Sequence, residues 1–221
     1  MKIVSWNCNG KFREKFTFIK KLDADIYVIQ ECENPLLCSN NDYKNFASNY
    51  FWTGKNKNKG LGIFAKDTIP LKINNWNTYC LRNFLSVNIQ ETFDLVGVWA
   101  CKHYIEEYYI YQSINYDKIN NDTIIIGDFN SNKKWDYKHS DRNHSNVVQE
   151  LEEKGLVSAY HYFYNEAQGK EIRNTFYLYK HIDKGCHIDH CFVDKNRIKD
   201  YKIINENQLK YSDHLPIMLT I

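Results

Sequence analysis

What most limits the fold of this chain is a repeated device: a short apolar run of β type that ends in a polar side chain capable of chemistry. In TIIIGDFNSN, residues 123–132, three isoleucines read as a strand buried on both faces, and an acid just past such a run sits at a sheet edge facing a cleft. Alone, the stretch is equally an ordinary Gly/Asp/Asn/Ser turn. KIVSWN, from Lys2, delivers Asn7, with Asn9 two residues on, and DIYVIQE, from Asp25, delivers Glu31. TIIIGDFN delivers Asp128 and Asn130, which share a face if the strand continues. HIDHCFV sets Asp189 inside an apolar run, and YSDHLPI puts Asp213 and His214 at the start of the last strand. Taken singly, these are a strand-end cap, a surface acid, a buried acceptor and a core histidine. Together they point to one shared site, because a fold has no need of so many polar strand ends.

Further β-type runs are GLGIFAK from Gly60, FLSVNI from Phe84, FDLVGVWA from Phe93, TFYLY from Thr175 and LPIMLTI at the end. Phe12, Phe16, Ile19 and Leu22 recur at helical spacing, as do Val147, Val148 and Leu151 ahead of Gly155, and a third helix is expected over residues 105–115. Mixed strands with few helices predict an α/β sandwich, two packed sheets with helices outside. With 221 residues, 43% of them hydrophobic, and no Pro/Ser-rich linker, a single domain over 1–221 is expected. The absence of a long apolar run and of a leader pattern predicts a soluble, cytoplasmic protein with no membrane partner, read as a monomer. Seven cysteines without CxxC or Cys/His ligand spacing fit reduced thiols, with Cys8, Cys32 and Cys191 expected as small buried groups on strands. A net charge of +2 does not by itself announce a nucleic-acid partner.

The series SWNCNG, IQE, GDFNS, HIDHCF and SDHLPI, in that order from Asn7 to His214, resembles the endonuclease/exonuclease/phosphatase superfamily, which includes exonuclease III, the apurinic endonucleases and deoxyribonuclease I. The resemblance implies a four-layer α/β sandwich of two mixed sheets flanked by helices, an active site at one edge of the sheets, and metal-dependent phosphoester cleavage. It implies that Glu31 binds Mg²⁺ (or Mn²⁺), that Asp128 orients or deprotonates the attacking water, and that Asn7 and Asn130 position phosphate and nucleophile. His214 would hydrogen-bond a phosphoryl oxygen, held by Asp189, with Asp213 in or beside the metal shell. The residue types suit the chemistry, since an anionic phosphodiester demands charge neutralisation and hydroxide near neutral pH. Hard oxygen ligands favour Mg²⁺ or Mn²⁺, and the missing Cys/His cluster argues against zinc. An Asp189–His214 pair also resembles part of a serine triad, but the chain has no GxSxG. Asp189 is expected to raise the imidazole's pKa.

One position departs from those relatives: after DLVGVW, where they carry tyrosine or histidine, stands Trp99, which neither accepts a proton nor binds metal. Lys102 or His103 is then a candidate phosphate contact. The segment GKNKNKG, after NYFW, reads as a solvated loop, whereas SNKKWDYKHSDRNHS follows Asp128 directly and offers Lys133, Lys134, Arg142, Asn143 and His144 as substrate contacts. Asn9 is also assigned to substrate, and RNTFYLY before HIDH resembles an apurinic endonuclease segment, which implies a place for Phe176 near a sugar or base pocket, with strand packing an equal explanation. The expected function is a Mg²⁺-dependent nuclease whose partner is DNA or RNA. Two alternatives stand beside it: a phosphatase or phosphodiesterase for a nucleotide or sugar phosphate, and a catalytically inactive binding module. The last is opposed by the presence of Glu31, Asp128, Asn130 and His214.

Overall fold

Strands rich in β-branched and aromatic residues dominate the computed structural model, which describes residues 1–205 and 208–221. In chain order they are β1 (Lys2–Asn7), β2 (Ile26–Cys32), β3 (Tyr50–Asn56), β4 (Lys59–Ala65), β5 (Leu71–Ile73), β6 (Phe84–Ile89), β7 (Phe93–Trp99), β8 (Thr123–Asp128), β9 (Leu156–Ser158), β10 (Phe176–Tyr177), β11 (Gly185–Cys186), β12 (Asp189–Asp194), β13 (Asp200–Ile203) and β14 (Ile217–Thr220). One six-stranded sheet runs β13-β14-β1-β2-β4-β3, the other β5-β6-β7-β8-β12-β9, and β10 and β11 pair separately. The pairs β1–β2 and β7–β8 are parallel and the others antiparallel, so both sheets are mixed. The helices are α1 (Phe12–Lys20), α2 (Asn41–Phe46), α3 (Ile105–Ile114), α4 (His144–Glu153) and α5 (Ala159–Tyr164). None among the described residues is long and apolar enough to cross a membrane.

The period of two along each strand sorts side chains into layers. Ile3, Ile26, Val28, Leu95, Ile124, Ile126, Cys191 and Val193 fill the space between the sheets. Their neighbours Val4, Trp6, Tyr27 and Ile29 face the other way, onto Phe12, Phe16, Ile19 and Tyr43 of α1 and α2. On the second sheet Val96, Val98, Ile125 and Phe192 pack against Tyr108 and Tyr111 of α3 and Val147, Val148 and Leu151 of α4. The result is the expected four-layer α/β sandwich of two mixed sheets flanked by helices.

Several expected elements shift. TFYLY is a strand only at Phe176–Tyr177 and then turns through a short 3-10 segment, and the last strand starts at Ile217, so Asp213 and His214 precede it. GKNKNKG is no separate loop: β3 extends to Asn56 and β4 begins at Lys59, so the lysines sit on a hairpin at the edge of the first sheet. Charged residues suit such an edge, where they discourage pairing with another chain. Leu22 lies past the end of α1. Cys8, Cys32 and Cys191 are buried free thiols.

Behind β8 and β12 lies a cluster of buried rings that fixes the loop following Asp128. His190 donates from Nε2 to the Ser131 carbonyl (2.9 Å), and the Ser131 hydroxyl donates to Nδ1 of His144 (2.8 Å), whose Nε2 donates to Gln168 (3.1 Å). The His144 and His190 ring centroids are 4.7 Å apart, with His187 5.1 Å from His190. Burial pulls both His144 and His187 from 6.5 down to about 4.

A group whose pKa is depressed on folding stabilises the fold fully above its unfolded value and less as the pH falls toward its folded one. Stability should therefore hold above about pH 6.5 and drop steadily toward about pH 4. Denaturant midpoints across that window should show the drop, and His144→Gln should reduce the slope by one proton's worth. Equal slopes in the variant and the parent protein would refute the assignment.

Candidate active site

The inward-facing row of each central strand begins apolar and ends on a side chain capable of chemistry. On β1 the row is Ile3, Ser5, Asn7; on β8 it is Ile124, Ile126, Asp128; on the antiparallel β12 it is Val193, Cys191, Asp189. Asp189 lies opposite Asp128 in register, as does Trp99 on the other side. The polar ends thus meet where the layer between the sheets opens. Gly127 is required there: its φ is +156°, and a Cβ would lie 2.0 Å from the Val98 carbonyl oxygen.

Asp128 is fully buried and carries three donors: Asn7 Nδ2 at 2.9 Å, the Asn130 backbone N–H at 2.9 Å and Asn130 Nδ2 at 3.0 Å. Asn130 reaches it through a turn with φ of 48°, not along a continued strand. His214 lies between two carboxylates, with Nδ1 3.0 Å from Asp189 and Nε2 3.9 Å from Asp128. Asp128, Asp189 and His214 form a compact buried cluster, their potential ligand atoms within 4.8 Å of one another. Burial raises the Asp128 carboxyl above the ordinary carboxylate range; the His214 imidazole opposes the rise and Asp189 adds to it. Burial disfavours the His214 cation, but Asp189 and then Asp128 outweigh it and push the imidazole up to about 9. The expectation that Asp189 would raise this histidine agrees with that result.

Residues absent from the expected set hold these groups in place. Ser212 donates to the Asn7 carbonyl (2.7 Å), and Trp6 Nε1 donates to the His214 carbonyl (3.0 Å), lashing the segment before β14 to the end of β1. The buried Thr175 hydroxyl accepts from the backbone N–H groups of Ile188 and Asp189, both at 3.0 Å. Ser212 is spent on this bond. The group facing His214 Nε2 is the Asp128 carboxylate, not a hydroxyl.

Glu31 reaches the site by a backbone irregularity. The pairing of β2 with β4 shifts between Gln30 and Cys32, and Glu31 sits at φ 63°. Such a bulge re-aims a side chain that strict alternation would send to the outer face. Its Oε1 lies 3.4 Å from Asn7 Nδ2, and its Oε2 holds Lys59 Nζ at 2.8 Å. The carboxylate is 16% exposed and already draws a cation, and its donor atoms are hard oxygens. Asp128 and Asp189, in contrast, are committed to internal partners.

The remaining expected residues scatter. Asn9 is exposed and gives its backbone N–H to Asn7 Oδ1 (3.0 Å). Phe176 packs with its ring centroid 4.8 Å from that of His214, tilted by 52°, and, with Asn130, Trp135 and Ile188, lines a pocket of about 300 Å³. Lys102 and His103 are exposed just ahead of α3; Lys133 and Lys134 are exposed on a 3-10 turn beyond Asn132. Arg142 is exposed, Asn143 caps α4 by accepting from the Asn146 N–H (2.9 Å), and His144 is buried in the ring cluster. Asn143 and His144 follow Asp128 in sequence but have structural work in the fold.

Comparison with known proteins agrees with this geometry. The family model described as Endonuclease/Exonuclease/phosphatase family matches residues 4–214. No curated protein sequence matches significantly. Among solved structures, an AP endonuclease from Archaeoglobus fulgidus superposes with a TM-score of 0.73 at 18% identity, covering 100% of this chain and 99% of that one. The 3′ phosphatase NExo from Neisseria, bound to product DNA hairpin, gives 0.72 at 17% identity, covering 100% and 99%. The endonuclease domain of TRAS1, a telomere-specific non-LTR retrotransposon, gives 0.68 at 17% identity, covering 99% and 96%. At such identities these structures speak for the fold. The family match over nearly the whole length, together with the strand-end constellation, shows that the chain belongs to the endonuclease/exonuclease/phosphatase family and is a phosphoric ester hydrolase.

Proposed function

We propose that the chain is a Mg²⁺- or Mn²⁺-dependent nuclease that hydrolyses phosphodiester bonds of DNA, with RNA as the alternative polymer. The observation that carries the reading is the Asp189–His214–Asp128 arrangement with Asn7 and Asn130 on the terminal carboxylate. A carboxylate raised toward neutrality is a stronger base than an ordinary one, and donors on both of its oxygens aim it. Asp128 takes the proton from the attacking water. His214, kept cationic by Asp189, donates to a phosphoryl oxygen as charge accumulates in the transition state. Glu31 and Asp213 would hold the cation, which when bound neutralises phosphoryl charge and lowers the pKa of its water. Lys133 and Lys134 would track a nucleic-acid backbone. The DNA named in the description of the Neisseria structure supports this substrate class, and its naming as a 3′ phosphatase keeps a phosphate monoester within reach of the same chemistry.

Asp128→Asn should lower kcat by ~10²-fold or more while substrate still binds. In the parent enzyme, activity should fall on the acid side as Asp128 gains its proton, at a pH above the ordinary carboxylate range. Near-full turnover in the variant would assign the base elsewhere. Glu31→Gln should abolish measurable Mg²⁺ binding by calorimetry yet cost less than ~1 kcal/mol of stability, because its partner Lys59 is half exposed. Unchanged Mg²⁺ affinity would remove Glu31 from the metal site. Neutralising Lys133 and Lys134 together should weaken binding to every sequence alike and reduce the log–log salt slope by roughly one to two. A salt slope identical to that of the parent protein, or hydrolysis confined to nucleotides and sugar phosphates, would reject the polymer substrate.

A further inference from the structure

Beside the catalytic edge lies a second cavity of about 340 Å³, and its walls come from three separate parts of the chain. Lys55 and Lys59 come from the β3–β4 hairpin, Arg82 from the segment before β6, and Lys102 from just beyond β7; Trp99 forms a wall and Glu107 is the one acid. Lys59 links the cavity to the site, holding Glu31 at 2.8 Å while its ammonium lies 5.5 Å from the Trp99 ring centroid. Trp99 is itself paired in register with Asp128. Among the described residues, Lys55, Arg82 and Lys102 are exposed and their side-chain cations have no carboxylate within 4.0 Å; Glu107 accepts instead from the Lys102 backbone N–H (3.4 Å). Unneutralised cations converging on one hollow repel one another, a cost that an anion removes. Arg82 brings the planar donor fork that suits a phosphate. The volume is at the small end of ligand sites, enough for a phosphate with part of the group that carries it.

We infer that this cavity is a second phosphate subsite, which holds a non-scissile phosphate of the substrate while the scissile one lies over Asp128. The inference rests on the phosphoester-hydrolase site described above and adds what the substrate must carry: a further phosphate group next to the ester that is cleaved. Two sources offer that chemistry, the neighbouring diester of a polynucleotide strand and the second phosphate of a nucleoside bisphosphate. The subsite also accounts for Trp99. An indole contributes neither proton transfer nor metal ligation, but it walls the cavity and supports Lys59 beneath its ammonium.

The test is equilibrium binding by calorimetry in Ca²⁺, with adenosine 5′-monophosphate and adenosine 3′,5′-bisphosphate as probes. The parent protein should prefer the bisphosphate by about tenfold or more, the gain expected of one added charge-assisted contact. In the double variant Lys55→Ala, Arg82→Ala the ratio should collapse toward one, and Arg82→Glu alone should reverse it. A single-stranded tetranucleotide bearing one neutral methylphosphonate beside the central linkage identifies the source. Loss of affinity there assigns the subsite to a strand, and a response confined to the bisphosphate assigns it to a mononucleotide. A ratio near one in the parent protein, or a ratio untouched by the variants, overturns the subsite. Hydrolysis assays on the same ligands separate the two readings: cleavage with an unaltered ratio defeats only the subsite, whereas a collapsing ratio without cleavage of any diester defeats only the nuclease.

Discussion

Everything in the site depends on keeping His214 charged between two buried carboxylates. Removing ions from water costs several kcal/mol each unless partners replace the lost hydration, and a lone buried carboxylate would simply take up a proton. Here the replacement is shared out. Asp189 has His214, on a backbone that Thr175 fixes by accepting the Asp189 N–H, while Asp128 has Asn7 and both donors of Asn130. Asn7 arrives from the end of β1 and His214 from the segment before β14, onto carboxylates of β8 and β12, so the charge network is complete only when both sheets are assembled in register. The coupling runs in both directions: the strands position the charges, and a shift in register that left one carboxylate bare would carry the full desolvation cost.

The same edge concentrates backbone conformations that side chains disfavour. Asn9, Glu31 and Asn130 all have positive φ, and Gly127 is pressed against the Val98 carbonyl. Such conformations persist only where surrounding contacts over-determine them. Those contacts are visible: Ser212 and Trp6 tie the segment bearing His214 to β1, and the buried histidines pin the loop after Asp128 from behind. The mouth is held differently. Among the described residues Glu31 is held by Lys59 and a long contact to Asn7, a looser hold than the buried carboxylates have, which suits the metal role proposed for it.

Periodicity made the layers legible in sequence, because alternation along β1, β2, β7 and β8 separates the inter-sheet core from the two outer faces. Asn7, Asp128 and Asp189 were legible together as polar groups on apolar runs, and in the structure each continues an inward row. Glu31 was legible as an acid at a strand end but not as an inward one; the bulge that turns it has no glycine to announce it. Strand β3 was hidden because its lysines resemble a solvated loop, while the edge position that favours them is a property of the assembled sheet. Thr175, Ser212 and Trp6 act through isolated hydrogen bonds between separate segments, Ser212 and Trp6 over more than 200 residues, and such bonds leave no periodic trace. Asn143 and His144 show the converse case. Nearness to Asp128 along the chain suggested substrate contact, but the start of α4 and the ring cluster claim both side chains.

Charge is divided by depth in a way that bears on how an anionic substrate is received. The buried network holds two carboxylates against one imidazole, so the innermost layer is no attraction for phosphate by itself. The cations lie outward: Lys59 on Glu31, with Lys55, Arg82 and Lys102 around the neighbouring hollow and Lys133 and Lys134 beyond Asn132. A surface that draws an anion in lies over a core that would repel it, and under the proposed mechanism productive approach would then be conditional on the metal cation being in place. The overall charge of +2 conceals this separation, because both signs are plentiful and only their placement differs.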